Sequence, residues 1–296
     1  MDINIRRFPL KLYALNGKSM GCRIGWFTTG RDAEAVNLLE TIYRGIKEGS
    51  IKGSISYIFI NRKRGEGSFS DRIMDMSEKW QIPLISLSSA MFEPGLRKEG
   101  RECPDAMSEW RMRYHHEVLK MLAGQEADFS VLAGYMLIVS PDMCSALNLV
   151  NLHPAPPNGP CGTWQEVIWR LIDMKAHESG IMIHIVTPEL DKGPVITYCL
   201  YKIRGEGFSA LWDEIDESQR RMSLDEIKSL EGEKNALFRM IRREGVKREL
   251  PLLFETIRWL SCGRIKIIDK RVFLGDKECN GGVILNEQIE RAIEDK

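Results

Sequence analysis

Short apolar runs alternate with helical segments along the chain, and this alternation limits the accessible folds more than any other feature. The runs CRIGWFT (22–28), SISYIFI (54–60) and PLISL (83–87) are short and apolar, as buried strands are. Residues 33–48 and 105–124 instead place their apolar side chains at helical spacing. Strands and helices in this alternation predict an α/β fold, with a mostly parallel sheet and helices on both faces.

The second half of the chain continues the same pattern. Helical patterns cover residues 164–177 and most of 208–261, and the further strands are predicted at 129–134, 147–153, 180–186 and 194–203. Near the end, RIKII and RVFL flank Asp269-Lys270, which suggests a hairpin, although these two residues lack the glycine that makes such turns easy to recognise. We therefore expect the sheet to be followed by C-terminal helices and this hairpin.

These patterns suggest one main domain with short flanking segments. We predict an N-terminal extension at residues 1–20, a catalytic domain at 21–275 and a C-terminal tail at 276–296. Heavy charge between residues 213 and 249 is typical of a solvated helix face.

Composition excludes several classes of protein. Lys plus Arg and Asp plus Glu both number 42, so there is no basic excess of the kind that nucleic-acid binding requires, and we expect no such partner. No apolar run reaches the roughly 18 residues of a membrane span, and the N-terminus lacks a signal-peptide pattern. Seven scattered cysteines without a CxxC pair predict reduced thiols in a cytoplasmic protein. The histidines lack the spacing of a zinc site, so no metal is predicted.

The strongest chemical signal lies at the end of the predicted strand 147–153. Asn151 and His153 are two residues apart on a strand, so their side chains point to the same side. In open α/β sheets, ligands bind beyond the carboxyl ends of the strands. A carboxamide can stabilise a developing oxyanion while an imidazole moves a proton, which is the pair of functions that acyl transfer needs.

A carboxylate further along the chain could complete this set. Asp191 follows the strand 180–186 in a loop beside Gly193 and Pro194. A carboxylate next to an imidazole favours the protonated ring. Each residue also has a simpler interpretation, because a strand-end histidine is often only packed and Asp191 could merely close a turn. His184 lies on an apolar strand, where a buried orienting role is the simplest prediction.

Three ordered motifs resemble one known family. The segment 131–141 (VLAGYMLIVSP), the motif Asn151-Leu152-His153-Pro154 and the segment 187–196 (TPELDKGPVI) are similar to the phosphoribosylglycinamide formyltransferase family of the formyltransferase superfamily. The resemblance covers roughly residues 21–275, with an apparent insertion near 215–242. It implies a Rossmann-like fold and N10-formyltetrahydrofolate as co-substrate.

The resemblance also implies roles for individual residues. The catalytic Asn–His–Asp set corresponds to Asn151, His153 and Asp191, and the family's second histidine, in the strand before the Asp, corresponds to His184. Acceptor-binding positions correspond to Thr29, Gly30, Arg31 and Pro154. The folate pocket corresponds to Leu132, Met136, Leu137, Ile138, Val139, Leu149, Val186, Thr187 and Glu189.

The acceptor side departs from the family. After the first strand, the family holds a ribose phosphate with a glycine-rich Ser-Asn turn, whereas this chain has Thr28 to Glu34, with two acids. The family's phosphate-contacting glutamate corresponds to Val246. Arg31, Arg242 and Arg243 could form another anion site, although ordinary surface arginines are the simpler interpretation.

We therefore predict a folate-dependent formyltransferase that acts on an amine, either glycinamide ribonucleotide or a related small molecule of purine biosynthesis or one-carbon metabolism. The alternatives are a formyltetrahydrofolate hydrolase and a folate-binding relative without turnover. The sequence leaves open the acceptor, the role of the insertion (a lid, a dimer contact or decoration) and whether the chain forms a homodimer.

Overall fold

A computed structural model describes residues 21–295, so the predicted extension 1–20 lies outside the described residues. Its centre is an eight-stranded sheet. The strands are β1 (Cys22–Thr28), β2 (Gly53–Ile60), β3 (Leu84–Ser86), β4 (Phe129–Leu132), β5 (Leu149–His153), β6 (Glu178–Ile185), β7 (Val195–Lys202) and, after a hairpin described below, β11 (Val283–Ile284).

The order across the sheet is β11-β7-β6-β5-β4-β1-β2-β3. Every neighbouring pair is parallel except that β6 runs antiparallel to both β5 and β7. The prediction of a mostly parallel α/β sheet is therefore confirmed. Because β1, β4 and β5 are mutually parallel, their carboxyl ends meet at one edge, where the loops after them lie together.

Helices cover both faces of the sheet. They are α1 (Ala33–Lys47), α2 (Ser68–Trp80), α3 (Pro94–Glu99), α4 (Pro104–Met121), α5 (Pro141–Ala146), α6 (Trp164–Asp173), α7 (Ser209–Gln219), α8 (Leu224–Glu231), α9 (Ala236–Ser261) and α10 (Asn286–Glu294). Alternation along β1 separates two apolar cores, since Trp26 packs beneath α1, α6 and α9 whereas Phe27 packs beneath α4 and α5. Each helix of residues 21–295 is too short or too polar to cross a lipid bilayer.

The predicted hairpin is present near the C-terminus. Strands β8 (Ile265–Ile268) and β9 (Arg271–Leu274) pair antiparallel, and a short β10 (Lys277–Glu278) extends them. Asp269 and Lys270 both have positive φ, of 48° and 60°, as a tight two-residue turn requires. The predicted hairpin is confirmed even though neither residue is glycine.

Residues 276–295, which we predicted as a tail, belong to the packed domain. β11 pairs in parallel with β7, and Leu285 and Ile289 are fully buried. Arg248 of α9 forms an ion pair with Glu290 of α10 at 2.8 Å. The core therefore continues past residue 275.

The segment 215–242 forms the end of α7, all of α8, a 3-10 turn at Gly232–Lys234 and the start of α9. It is anchored by Phe238, whose ring lies 5.6 Å from Trp164 and 5.3 Å from Trp169 between centroids. The segment is therefore packed against α6.

Candidate active site

Asn151 and His153 lie on β5, whose antiparallel neighbour is β6. The register pairs Asn151 with His184 across the two strands. The Asn151 amide nitrogen Nδ2 lies 3.3 Å from Nε2 of His184. His153 is nearly buried, with 2% of its surface exposed, whereas Asn151 is partly exposed. The edge of the sheet thus presents one accessible amide beside one enclosed imidazole.

Asp191 joins this pair from the loop after β6. Its Oδ2 lies 3.5 Å from Nδ1 of His153, and its Oδ1 lies 3.7 Å from Nε2 of His184. The backbone amide of Gly162 donates to Oδ2 at 3.1 Å. Asp191 has φ of 56°, a left-handed conformation that Asp adopts more readily than most residues. The structure therefore brings together the three side chains that the sequence predicted to be catalytic.

The second ring nitrogen of His153 is covered by the loop that follows β5. Its Nε2 donates to the carbonyl oxygen of Pro160 at 2.8 Å. Both ring nitrogens therefore face oxygen acceptors, one from Pro160 and one from Asp191. The ring is therefore held between these two oxygens, which fix its orientation.

His184 has the opposite surroundings. Its Nδ1 lies 3.0 Å from the carbonyl oxygen of Ile185 and must donate to it, which leaves Nε2 of the neutral ring free to accept from Asn151. Burial lowers the pKa of His184, although the backbone bond at Ile185 and the charge of Asp191 oppose this shift. A neutral His184 therefore orients the Asn151 amide.

Comparison with known proteins identifies the family. The profile of the formyl transferase family matches residues 34–206. The chain belongs to the formyl transferase family.

Individual relatives are distant. A phosphoribosylglycinamide formyltransferase of Saccharomyces cerevisiae is 31% identical over 133 residues, which make up 42% of this chain and 61% of that relative. The chain thus spans less than two thirds of that relative's length. Among solved structures, a phosphoribosylglycinamide formyltransferase of Coxiella burnetii has a TM-score of 0.58 at 18% identity, covering 89% of this chain and 99% of its own. A formyltetrahydrofolate deformylase of Burkholderia mallei has a TM-score of 0.55 at 15% identity. The match covers 86% of this chain and 70% of that structure's chain. These two structures share the fold.

The residues predicted to line a folate pocket divide into buried and accessible groups. Leu132, Val139 and Leu149 belong to the core beneath α4 and α5, and Leu149 has no exposed surface. Met136 and Ile138 are 52% and 44% exposed on the loop after β4. The apolar surface that a ligand can reach on this loop is therefore that of Met136 and Ile138.

The remaining predicted folate residues are on the loop after β6, except for Leu137 on the loop after β4. Val186 and Leu137 are partly buried against the core beneath α4 and α5. Thr187 donates from Oγ1 to the carbonyl oxygen of Glu189 at 3.1 Å, while the Glu189 side chain is exposed. Thr187 therefore shapes the loop that carries Asp191.

Three of the predicted acceptor residues lie in the turn after β1, and the fourth, Pro154, follows β5. Thr29 is buried, and its Oγ1 accepts from the Met136 amide at 3.0 Å, which ties this turn to the loop after β4. Gly30 has φ of 57°, and a Cβ there would lie 2.7 Å from Cα of Ser70. Arg31 is exposed, and Pro154 is partly buried after His153. Thr29 and Gly30 therefore fix the turn by packing.

Of the three arginines considered for an anion site, two line the same cavity and the third does not. Arg242 and Arg243 line one cavity of about 530 Å³, whereas Arg31 is absent from its lining and bonds to Asp32 at 3.0 Å. Neither this cavity nor a second one of about 430 Å³ is lined by Asn151, His153 or Asp191.

Two groups at the site were missed by sequence reasoning. The Pro160 carbonyl and the Gly162 amide hold His153 and Asp191, and both are backbone groups. The glycines and prolines between residues 154 and 162 indicate a tight loop, but every residue carries the same backbone polar atoms. Sequence alone therefore could not have singled out these two.

Proposed function

We propose that this protein transfers the formyl group of N10-formyltetrahydrofolate to an amine. The observation that carries the proposal is the position of Asp191, within 3.5 Å of His153 and 3.7 Å of His184, at the strand edge that also holds the Asn151 amide. Membership of the formyl transferase family supports the same reaction class.

The chemistry follows from these side chains. Attack of the amine nitrogen on the formyl carbon would form a carbon–nitrogen bond and place negative charge on the formyl oxygen. The Asn151 amide and the Nε2 hydrogen of His153 are donors that can stabilise this charge. Collapse then breaks the bond to the folate nitrogen, which takes up a proton while the attacking nitrogen loses one. Asp191 lies 3.5 Å from Nδ1 of His153 and holds the ring in place for this step.

His153 can serve in this way only if its Nε2 hydrogen turns from Pro160 toward the reacting oxygen. The Pro160 carbonyl lies in the loop between β5 and α6, and it competes with a substrate oxygen for this hydrogen. A shift of this loop on substrate binding would release the donor. We therefore include the loop in the proposed mechanism.

The direct test is to incubate the protein with formyl-tetrahydrofolate alone and with single amines, glycinamide ribonucleotide first, and to quantify formylated amine and free formate. Formyl transfer to an amine is the expected result. Formate release that no amine alters would instead assign a hydrolase, and unchanged folate after long incubation would assign a binding protein.

The His153→Ala variant tests the mechanism. We expect its rate of transfer to fall by roughly 10²–10⁴, the usual contribution of a positioned acid–base group. The matched control is His116→Ala, because His116 is exposed on α4. Full transfer activity in the His153 variant would remove the proposed role.

A further inference from the structure

The loop that follows β4 begins directly beside Asn151. β4 pairs in parallel with β5, and its last residue, Leu132, is in register with Asn151. Because parallel strands end at the same edge of the sheet, the loop 133–140 leaves this edge next to the Asn151 amide. A substrate whose formyl carbon reaches Asn151 therefore passes close to the loop.

Side chains of this loop alternate between the core and the surface. Tyr135 and Val139 are buried, whereas Met136 and Ile138 are 52% and 44% exposed. Such alternation is typical of an extended chain, in which successive side chains point to opposite sides. A shift of the chain by one residue would exchange the two sets, so the apolar surface beside Asn151 depends on the register of the loop.

One buried side chain of α4 contacts both ends of the segment 135–140. His115 has no exposed surface. Its Nδ1 accepts from the backbone amide of Ser140 at 3.1 Å, and its Nε2 lies 3.2 Å from the hydroxyl oxygen of Tyr135. A single imidazole thus joins two residues of the loop that are five positions apart.

The His115 ring makes both bonds as a neutral ring in one tautomer. The Ser140 amide can only donate, so Nδ1 carries a lone pair and the ring hydrogen is on Nε2, which donates to Tyr135. Burial lowers the pKa of His115 to about 4, so the neutral ring is the form present near pH 7. Both bonds are therefore in place at neutral pH.

The first end of the loop is fixed by packing as well. The Tyr135 ring meets Phe27 and Phe59 edge-on, at 5.8 and 6.2 Å between centroids. The next residue, Met136, donates from its amide to Oγ1 of Thr29 at 3.0 Å. The Tyr135 hydroxyl therefore meets His115 from a ring whose position is already set by β1 and β2.

The middle of the loop has fewer restraints. Within residues 21–295, the backbone amides of residues 137–139 donate to no protein acceptor. The next fixed amide after that of Met136 is the Ser140 amide, which is bonded to His115. The register of Met136 and Ile138 therefore depends on His115 at the far end of the loop.

From this arrangement we infer, resting on the formyl transfer proposed above, that His115 is a positioning residue for the formyl donor. It holds the loop 133–140 in the register that presents Met136 and Ile138 beside Asn151, and it touches no substrate itself. An apolar surface of this kind suits the large ring system of a folate, whereas a small polar amine gains little from it. If the bonds of His115 are lost, the apparent affinity for the donor decreases with the fraction of molecules that keep the competent loop.

Three substitutions test the role of His115. Tyr135→Phe removes the hydroxyl and keeps the ring, His115→Asn keeps an acceptor near the position of Nδ1, and His115→Phe loses both bonds. We expect KM for formyl-tetrahydrofolate to rise by roughly three- to tenfold in the first two variants and by roughly tenfold or more in the third. Both kcat and KM for the amine should stay within about twofold, because the amine gains little from this surface.

Tyr201→Phe is the matched control. Its hydroxyl is also buried and donates to the carbonyl oxygen of Ile241 at 3.4 Å, but it lies in the core beneath α1, α6 and α9. Thermal unfolding of every variant separates positioning from stability, since a purely structural loss lowers the amount of folded protein and leaves KM unchanged. If His115→Phe does not fold, Tyr135→Phe and His115→Asn decide the outcome.

Calorimetric titration with tetrahydrofolate, without amine, separates the inference from the function. The Kd should rise by the same factors as KM in the variants and stay unchanged in the control. If no amine is formylated, the proposed function fails and this binding result alone decides the role of His115. Unchanged KM and Kd in the folded variants, an equal rise in KM for donor and amine, or the absence of tetrahydrofolate binding by wild type would overturn the inference.

Discussion

His153 donates from Nε2 to the carbonyl oxygen of Pro160, seven residues further along the chain, at 2.8 Å. This bond joins the proposed catalytic ring to the loop that covers it. The same loop holds Asp191 through the Gly162 amide. The loop between β5 and α6 thus positions both His153 and Asp191. Substitutions in this loop should therefore alter catalysis even though they change no catalytic side chain.

The Asp191→Asn variant tests whether the negative charge of Asp191 matters for catalysis, because it removes the charge and keeps the size of the side chain. Asn has nearly the same volume and also tolerates the left-handed backbone at this position. It removes the negative charge beside His153, so we expect kcat to fall by about 10² with little change in stability. Steady-state kinetics and thermal unfolding measure the two effects. Asp173→Asn, an exposed carboxylate at the end of α6, provides the control, and equal kcat in both variants would contradict the role of Asp191.

The Gly162→Ala variant tests the covering loop. Gly162 has φ of 114°, and a Cβ there would lie 2.5 Å from Oε2 of Glu166. An alanine strains the backbone at this φ, and its Cβ displaces the Glu166 carboxylate that accepts from the neighbouring Thr163 amide at 2.7 Å. Because both effects shift the amide that binds Asp191, we expect kcat to fall by at least about tenfold, the lower part of the effect of misplacing a catalytic group. Gly124→Ala is the matched control, since it has φ of 90° but nothing within 4 Å of its Cβ. Similar kcat losses in both variants would show that backbone strain alone is responsible.

The fold was predictable because strand and helix periodicities differ along this chain. The Asn151–His153 pair was also predictable, since residues two apart on a strand share a face and the carboxyl edge of the sheet is where ligands bind. Asp191 lies far away in sequence, and its position followed from the family resemblance. The antiparallel pairing of β6 with β7 could also be predicted from the sequence. The connection between them, residues 186–194, is shorter than the crossover of about a dozen residues that parallel strands need.

Other features depend on tertiary packing. The full burial of Leu149 depends on the core that also contains residues of α4, a helix that ends 28 residues earlier at Met121. β11 has only two residues after a glycine pair, and it becomes a strand because β7 offers a free edge. In the sequence, Asp32 was only an unexpected acid in the turn after β1. The structure shows that its Oδ1 accepts from the Ala35 amide and so caps α1.

The pH dependence of stability should be governed partly by His115, which lies outside the proposed site. Its Nδ1 accepts from the Ser140 amide at 3.1 Å, so its Nε2 hydrogen is directed to the Tyr135 hydroxyl at 3.2 Å. Burial lowers the pKa of His115 to about 4 from 6.5. The unfolded chain therefore binds a proton between pH 6.5 and about 4 that the folded protein does not, and the free energy of unfolding should decrease as the pH falls through this window.

The variant His115→Gln isolates this contribution because it cannot titrate. Between pH 7 and pH 4, we expect the free energy of unfolding of wild type to fall by about 3 kcal/mol more than that of the variant. Denaturant unfolding at both pH values measures the difference, and His116→Gln, at an exposed position on the same helix, should behave like wild type. Parallel pH profiles for wild type and the His115 variant would rule out a neutral buried His115.

The last prediction concerns the C-terminal segment. Leu285 is fully buried, and its amide donates to the Tyr198 carbonyl oxygen on β7 at 2.9 Å. Leu285→Ala leaves a cavity between α10 and the sheet, so we expect the free energy of unfolding to fall by about 2–5 kcal/mol. Leu230→Ala is the matched control, because Leu230 is 74% exposed on α8 and should change stability by less than about 0.5 kcal/mol. If both variants unfold at the denaturant concentration of wild type, residues 276–295 contribute no stability and behave as a detachable tail.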